Sequence, residues 1–109
     1  TGKRAWHEGV DFAGKEGADV IAVAAGVVVF AGERSGYGRM IEINHGGGYA
    51  TRYGHHKELI VNAGDIVRRG QVVGLMGSSG RSTGPHVHFE VYKAGKVVDP
   101  SKYIYRATR

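Results

Sequence analysis

Histidines are the residues of this 109-residue sequence with the greatest potential for chemistry, and five of the six fall in three short segments. These segments cover residues 7–11, 53–56 and 86–90. Neutral imidazoles and carboxylates are common zinc ligands, and a catalytic zinc ion uses three protein ligands and one water molecule. Histidine also titrates near neutral pH, so histidines that bind no metal can transfer protons. The residue types therefore indicate a metal centre, proton-transfer chemistry, or both.

The segment 86–90 alternates polar and apolar residues, which is the pattern of a β-strand with one buried face. Side chains on a strand alternate between its two faces, so the valine and phenylalanine of this segment would enter a core. His86, His88 and Glu90 would then share the opposite face. The ordinary alternative is a solvated polar face, but two histidines side by side are an unusual surface feature. One of the two is therefore a candidate metal ligand.

The segment 7–11 contains a histidine and a carboxylate four residues apart, His7 and Asp11. Gly9 and Gly14 disfavour a helix here, so the segment is not the helical H-E-x-x-H zinc motif, and Glu8 takes no general-base role from that motif. A bent extended segment brings the two side chains together as well as a helix does. The alternative is a pair of surface residues. With one histidine from the segment 86–90, the pair completes a three-ligand set.

The segment 53–56 carries two consecutive histidines, and strand alternation separates them. His55 would share a face with Tyr53, and His56 would share one with Arg52. We therefore expect at most one of the two to reach a given site. His45, the histidine outside the three segments, precedes a glycine turn and is interpreted as a loop residue.

The elements around these segments are predicted to be short strands. Nineteen glycines, two prolines and clustered β-branched residues favour tight turns, and helical periodicity is absent. Strands at spacings of about ten residues are typical of an all-β sandwich or barrel. The predicted strands cover residues 27–30, 40–44, 49–55, 66–67, 72–76, 87–92 and 97–98.

Composition limits the classes of function. The length suits one domain, and no apolar stretch is long enough to span a membrane. The absence of cysteine excludes disulfides and thiolate zinc sites. The net charge of +5 has no basic run with interleaved aromatic residues, so no nucleic-acid partner is expected. The charge could hold the protein near an anionic polymer such as a cell wall, or reflect an ordinary solvated surface.

The ordered motifs resemble those of the lysostaphin/LytM-type zinc metallopeptidases, which are peptidoglycan endopeptidases. The matching motifs are H-x-x-x-D at 7–11, Gly-Tyr-Gly at 36–38, Tyr-Gly-His at 53–55, and Gly-Arg-Ser-Thr-Gly-Pro-His-Val-His-Phe-Glu at 80–90. The likeness extends from Trp6 to about residue 103. The departures are small: His56 stands where leucine is usual in the family, and Asn44 stands where aspartate is common.

The resemblance implies one zinc ion per chain, with His7, Asp11 and His88 as ligands and His55 and His86 as catalytic histidines. It also implies a mostly antiparallel β fold, a sandwich or half-barrel, with a narrow groove walled by loops that include residues 77–84. The implied reaction is hydrolysis of peptide cross-links in bacterial peptidoglycan by a metal-activated water molecule. We therefore expect a single metallopeptidase domain over residues 1–109, with its core at about 5–105.

The resemblance further suggests a monomeric domain of a longer exported protein, located in the periplasm, the cell envelope or outside the cell. The alternative function is a non-catalytic module of the same fold that binds the cell wall or activates an amidase. The complete ligand set argues against this alternative. Residues 64–74 resemble a turn of lipoyl- and biotin-carrying domains, but the lysine modified in those domains is missing.

Overall fold

The computed structural model describes residues 10–77 and 86–99, with side chains from residue 14 onward. Every regular element within these ranges is a strand, and no helix there could cross a membrane. The nine strands are β1 (Val10–Ala13), β2 (Asp19–Ile21), β3 (Gly26–Arg34), β4 (Gly38–Gly46), β5 (Tyr49–Leu59), β6 (Ile66–Val67), β7 (Val72–Met76), β8 (His86–Lys93) and β9 (Lys96–Val98).

The strands form one antiparallel sheet that curls into a half-barrel. The main path runs in the order β1-β8-β5-β4-β3-β6, while β7 pairs with β5 and β2, and β9 pairs with β8. All described pairs are antiparallel. The all-β, antiparallel fold predicted from the sequence is confirmed. Of the expected groove wall at 77–84, residues 78–84 lie outside the described part of the chain.

The core lies on one face of the central strands. On β8 the apolar positions Val87, Phe89 and Val91 are at most 1% exposed, as alternation predicts. Phe89 packs against Tyr53 of β5 with a distance of 5.5 Å between ring centroids. Burying such large side chains contributes about 1.5–3 kcal/mol each to the free energy of unfolding. The opposite face of β8 is therefore available for polar groups.

His45 is part of strand β4, and its interpretation as a loop residue is wrong. Its Nδ1 lies 2.7 Å from the carbonyl oxygen of Ala25, and its Nε2 lies 2.7 Å from Oγ1 of Thr51. The strand extends two residues further than the apolar pattern suggested, because the backbone pairing continues to Gly46 opposite Tyr49.

Strand β5 contains a β-bulge at the centre of the sheet. Tyr53 pairs with Ile41, whereas His56 pairs with Arg39, so β5 has one more residue than β4 between the two pairs. The extra residue disrupts alternation and re-aims the side chains that follow. His55 takes up the irregularity with a φ of 67°, a left-handed conformation that few residues other than glycine adopt.

The bulge reverses the predicted faces of the two histidines in β5. His56 is fully buried, as is Tyr53, while the His55 ring lies next to His86, on the face opposite the core. The expectation that His55 shares a face with Tyr53, and His56 one with Arg52, is therefore wrong. We expected at most one of the two to reach a given site, and here the His55 ring lies beside His86 while the His56 ring lies in the core. Gly54 was the available signal, because a glycine inside a strand often marks a bulge.

Burial of His56 changes its protonation. Its Nδ1–H donates to the carbonyl oxygen of Arg39 at 2.9 Å, and a side chain at Gly74 would overlap the ring. Burial, together with the nearby His55, lowers the pKa of His56 to about 4, although the bond to Arg39 acts in the opposite direction. The neutral ring is therefore part of the core at neutral pH.

We predict that His56 makes the metal-free fold sensitive to acid. Its pKa is lower in the folded than in the unfolded state, so its contribution is complete above pH 6.5 and is lost as the pH falls toward 4. The loss amounts to roughly 3 kcal/mol. His56→Leu should abolish this part of the pH dependence. The measurement is urea unfolding between pH 7.5 and 4 in the presence of a chelator. An identical loss of stability in both proteins would contradict the prediction.

Candidate active site

The site lies where β5 changes its neighbour in the sheet. Up to Gly54, which pairs with His88, strand β5 lies beside β8, and from His56, which pairs with Met76, it lies beside β7. The end of β7 and the start of β8 therefore separate at the bulge. A single bridge between Gly77 and His86 spans this fork.

Three of the five predicted site residues meet at this fork. The rings of His55 and His86 are 4.9 Å apart between centroids and inclined at 58°. The rings of His55 and His88 are 6.3 Å apart and inclined at 74°. His55 therefore lies beside both histidines of β8.

Backbone hydrogen bonds hold His55 and His86 in register. The N–H of His55 donates to the carbonyl oxygen of Tyr37 at 2.7 Å, and the carbonyl oxygen of His55 accepts from Gly77 at 3.1 Å. The N–H of His86 donates to the carbonyl oxygen of Gly77 at 3.2 Å. Gly77 thus joins the strand of one histidine to the strand of the next.

A buried carboxylate lies behind His88. Glu90 is 5% exposed, and its Oε2 lies 2.9 Å from Nε2 of His88. Its Oε1 accepts hydrogen bonds from the hydroxyls of Tyr37 at 2.8 Å and Tyr92 at 3.0 Å. Burial opposes ionisation of Glu90, but these bonds and the nearby His88 hold its pKa below the usual value. The group is therefore a carboxylate at neutral pH.

Arg52 extends this network away from the histidines. Its Nη1 donates to the hydroxyl oxygens of Tyr37 at 3.1 Å and Tyr92 at 3.3 Å, and its Nε donates to Glu42 at 2.9 Å. The guanidinium also lies 4.5 Å from the centroid of the Tyr92 ring, a cation–π contact. No local pattern in the sequence predicts a role for Arg52, Tyr92 or Glu42. Alternation along β8 does place Tyr92 on the face of Glu90, since it follows Glu90 by two residues.

The donor types near the fork, imidazoles and a carboxylate on the paired strand β1, are those that zinc proteins use. Asp11 pairs with His88 across β1 and β8, and opposite positions of an antiparallel pair are the nearest cross-strand neighbours. A carboxylate on one nitrogen of an imidazole is the usual outer partner of a metal-binding histidine. His7 and the side chain of Asp11 lie outside the described residues. Within those residues, no group of three histidine, cysteine or acidic side chains has the geometry to hold a metal ion.

A model of Peptidase family M23 matches residues 5–100. The chain belongs to this family. The DD-carboxypeptidase/endopeptidase Mpg of Neisseria meningitidis is 44% identical over 94 residues, which cover 86% of this chain and 22% of Mpg. The peptidoglycan DD-endopeptidase ShyB of Vibrio cholerae is 40% identical over 102 residues, which cover 94% of this chain and 24% of ShyB. The chain thus spans less than a quarter of the length of these relatives.

The family match also confirms the resemblance recognised in the sequence motifs. A crystal structure described as a zinc-containing peptidase from Vibrio cholerae superposes with a TM-score of 0.81 and 41% identity, covering 85% of this chain and 29% of that one. The M23 half-barrel and the fold of this chain are therefore the same, and the chain is a member of a peptidase family.

We predict that Gly77→Ala disrupts the histidine cluster. An added Cβ would lie 2.5 Å from the backbone nitrogen of Lys57, so β5 or β7 must shift, and with it the bonds to His55 and His86. Peptidase activity should fall at least about 10²-fold, as misplacement by about 1 Å can cause. Gly32→Ala is the matched control, because a Cβ there meets only ordinary contacts at 3.7 Å or more. Equal activities of the two variants would contradict the prediction.

Proposed function

We propose that this chain is a zinc-dependent endopeptidase domain that hydrolyses peptide cross-links of bacterial peptidoglycan. The observation that carries the proposal is the convergence of His55, His86 and His88 at the fork, with Asp11 opposite His88 in the register. Membership of the M23 family and the 40% identity to a peptidoglycan DD-endopeptidase support the reaction and the substrate. The similarity to a zinc-containing peptidase supports the metal.

The proposed ligands are His7, Asp11 and His88, one zinc ion per chain. A zinc ion bound there would supply Lewis acidity and would lower the pKa of a water molecule toward neutrality. His55 and His86 are assigned to proton transfer and to hydrogen bonding of the oxygen of the scissile carbonyl. With their rings 4.9 Å apart, both can contact the same reacting group.

The substrate determines the proposed location. Peptidoglycan lies outside the cytoplasmic membrane, so the protein would act in the periplasm, in the cell envelope or after secretion. The proposed partner is the cross-link peptide itself, bound by a monomeric domain.

The proposal is tested by digesting purified peptidoglycan with the zinc-loaded protein and identifying the fragments by mass spectrometry. Cleavage of cross-linked muropeptides into un-cross-linked fragments, with the glycan chains intact, is the expected result. The masses also identify the bond that is cut. A metal-loaded, folded protein that binds peptidoglycan without cleaving it would instead indicate the non-catalytic wall-binding or activator module.

We predict that substitution of single histidines separates metal ligands from catalysts. His88→Ala should abolish zinc retention and activity together. His55→Ala and His86→Ala should retain zinc and lose activity by about 10²–10⁴-fold each. The measurements are bound zinc by elemental analysis and initial rates on a soluble cross-linked muropeptide.

The matched control is His45→Ala, since that imidazole bonds to Ala25 and Thr51. Zinc content and rate should both match the parent protein in this variant. Loss of zinc from folded His86→Ala, together with retention in His88→Ala, would mean that the two roles are exchanged.

A further inference from the structure

Glu90 is a buried ionisable side chain beside the histidines, and the proposed reaction assigns it no role. It is 5% exposed, lies two residues after His88 on the same face of β8, and receives hydrogen bonds on both carboxylate oxygens. Burying a carboxylate costs several kcal/mol unless hydrogen bonds compensate for the lost solvation. A side chain that served only to fill space would not need this compensation. The number of donors directed at Glu90 therefore indicates a specific task.

The bond to His88 defines the state of the imidazole. An ionised carboxylate only accepts hydrogen bonds, so the proton between Nε2 of His88 and Oε2 of Glu90 belongs to the imidazole nitrogen. A neutral imidazole protonated at Nε2 carries its lone pair at Nδ1. The contact thus selects one tautomer and one ring orientation of His88.

We propose that Glu90 is a positioning residue that holds His88 as the Nε2–H tautomer, presents Nδ1 as the metal-binding nitrogen, and raises its basicity. The proposal rests on the proposed function insofar as it concerns metal binding. Its statement about the tautomer holds for the metal-free protein as well. Outer-shell carboxylates act on metal-binding histidines in this way.

The surrounding side chains hold the carboxylate in place. Tyr37 and Tyr92 both donate to Oε1, which leaves Oε2 directed at His88. Arg52 donates to both hydroxyl oxygens, so each tyrosine hydroxyl has a fixed direction in which to donate its own proton. Three residues on three strands or turns therefore determine the orientation of one carboxylate.

Tyr37 also connects this network to the second part of the site. Its carbonyl oxygen accepts the N–H of His55 at 2.7 Å, while its hydroxyl donates to Glu90 at 2.8 Å. Tyr37 thus positions both His55 and the carboxylate of Glu90. Gly54 allows this approach, since a Cβ there would lie 3.2 Å from the carbonyl oxygen of Tyr37.

The test compares Glu90→Leu, which removes the acceptor, with Glu90→Gln, which keeps an acceptor oxygen but removes the charge. Glu33→Gln is the control for loss of a carboxylate, because that side chain is 74% exposed. The first readout is the tautomer of His88 in the metal-free protein, measured by ¹⁵N–¹H correlation of the imidazole nitrogens. The second is zinc affinity, measured by competition with a chromophoric chelator. Circular dichroism checks the fold of every variant.

We expect the Nε2–H tautomer in the parent protein, in Glu33→Gln and in Glu90→Gln, and a mixture with the Nδ1–H tautomer in Glu90→Leu. Zinc affinity should fall about 10–100-fold in Glu90→Leu, should fall by a smaller but measurable factor in Glu90→Gln, and should stay unchanged in Glu33→Gln. Unchanged tautomer and affinity in Glu90→Leu would overturn the proposal. If that variant does not fold, parent-level zinc affinity in Glu90→Gln would overturn it.

The two readouts separate this proposal from the proposed function. A parent protein that binds no zinc would refute the function, and the tautomer comparison would still decide whether Glu90 controls His88. A parent protein that binds zinc and cleaves peptidoglycan, with a tautomer that does not respond to Glu90→Leu, would refute the positioning role alone.

Discussion

The extra residue of β5 opposite β4, between Tyr53 and His56, is the constraint on which the site depends. With regular alternation from Tyr53 onward, His55 would enter the core and His56 would face the solvent side. The bulge exchanges these positions, at the cost of a left-handed backbone at His55 of about 1–3 kcal/mol. Two backbone bonds, to Tyr37 and from Gly77, hold that conformation. The strain is local, and it places an imidazole next to two others on a neighbouring strand.

The bulge is also where the sheet divides. Strand β5 leaves β8 for β7 at this point, so the histidines meet at a fork and not on a flat surface. The core beneath is continuous across the fork: Tyr53, His56 and Met76 are all fully buried. The core face of the sheet is thus continuous beneath the irregular polar face that carries the histidines. This arrangement gives the site precise backbone positions without requiring a long ordered loop in the described part of the chain.

Part of this arrangement could be read from the sequence. Alternation over 86–91 correctly separated the core residues from His86, His88 and Glu90, because β8 is regular along its length. The same rule failed in β5, since one inserted residue reverses the faces of His55 and His56 and leaves only Gly54 as a signal. The hydrogen-bond network around Glu90 could not be predicted from local sequence patterns for a different reason. Arg52 and Tyr37 reach Glu90 only through pairing between strands distant in sequence.

The polar network around Glu90 and the edge strand β1 differ in how much the site contributes to their stability. Charged groups in a largely desolvated network, such as the partly buried Arg52 and the buried Glu90, contribute little net stability, because desolvation offsets their attraction, but they define orientation well. Strand β1, at an edge of the sheet, is a place where the site would contribute to stability more than to orientation. It is four residues long, and in the described part of the chain it pairs only with β8, where Asp11 is opposite His88. Under the proposed ligand set, one metal ion would join this short edge strand to a central strand. Since a ligand bound only by the folded state stabilises it, metal binding would stabilise the edge as well as complete the site. His88 would then serve two purposes: Glu90 orients its imidazole, and the metal ion that it binds would attach the edge strand β1 to β8.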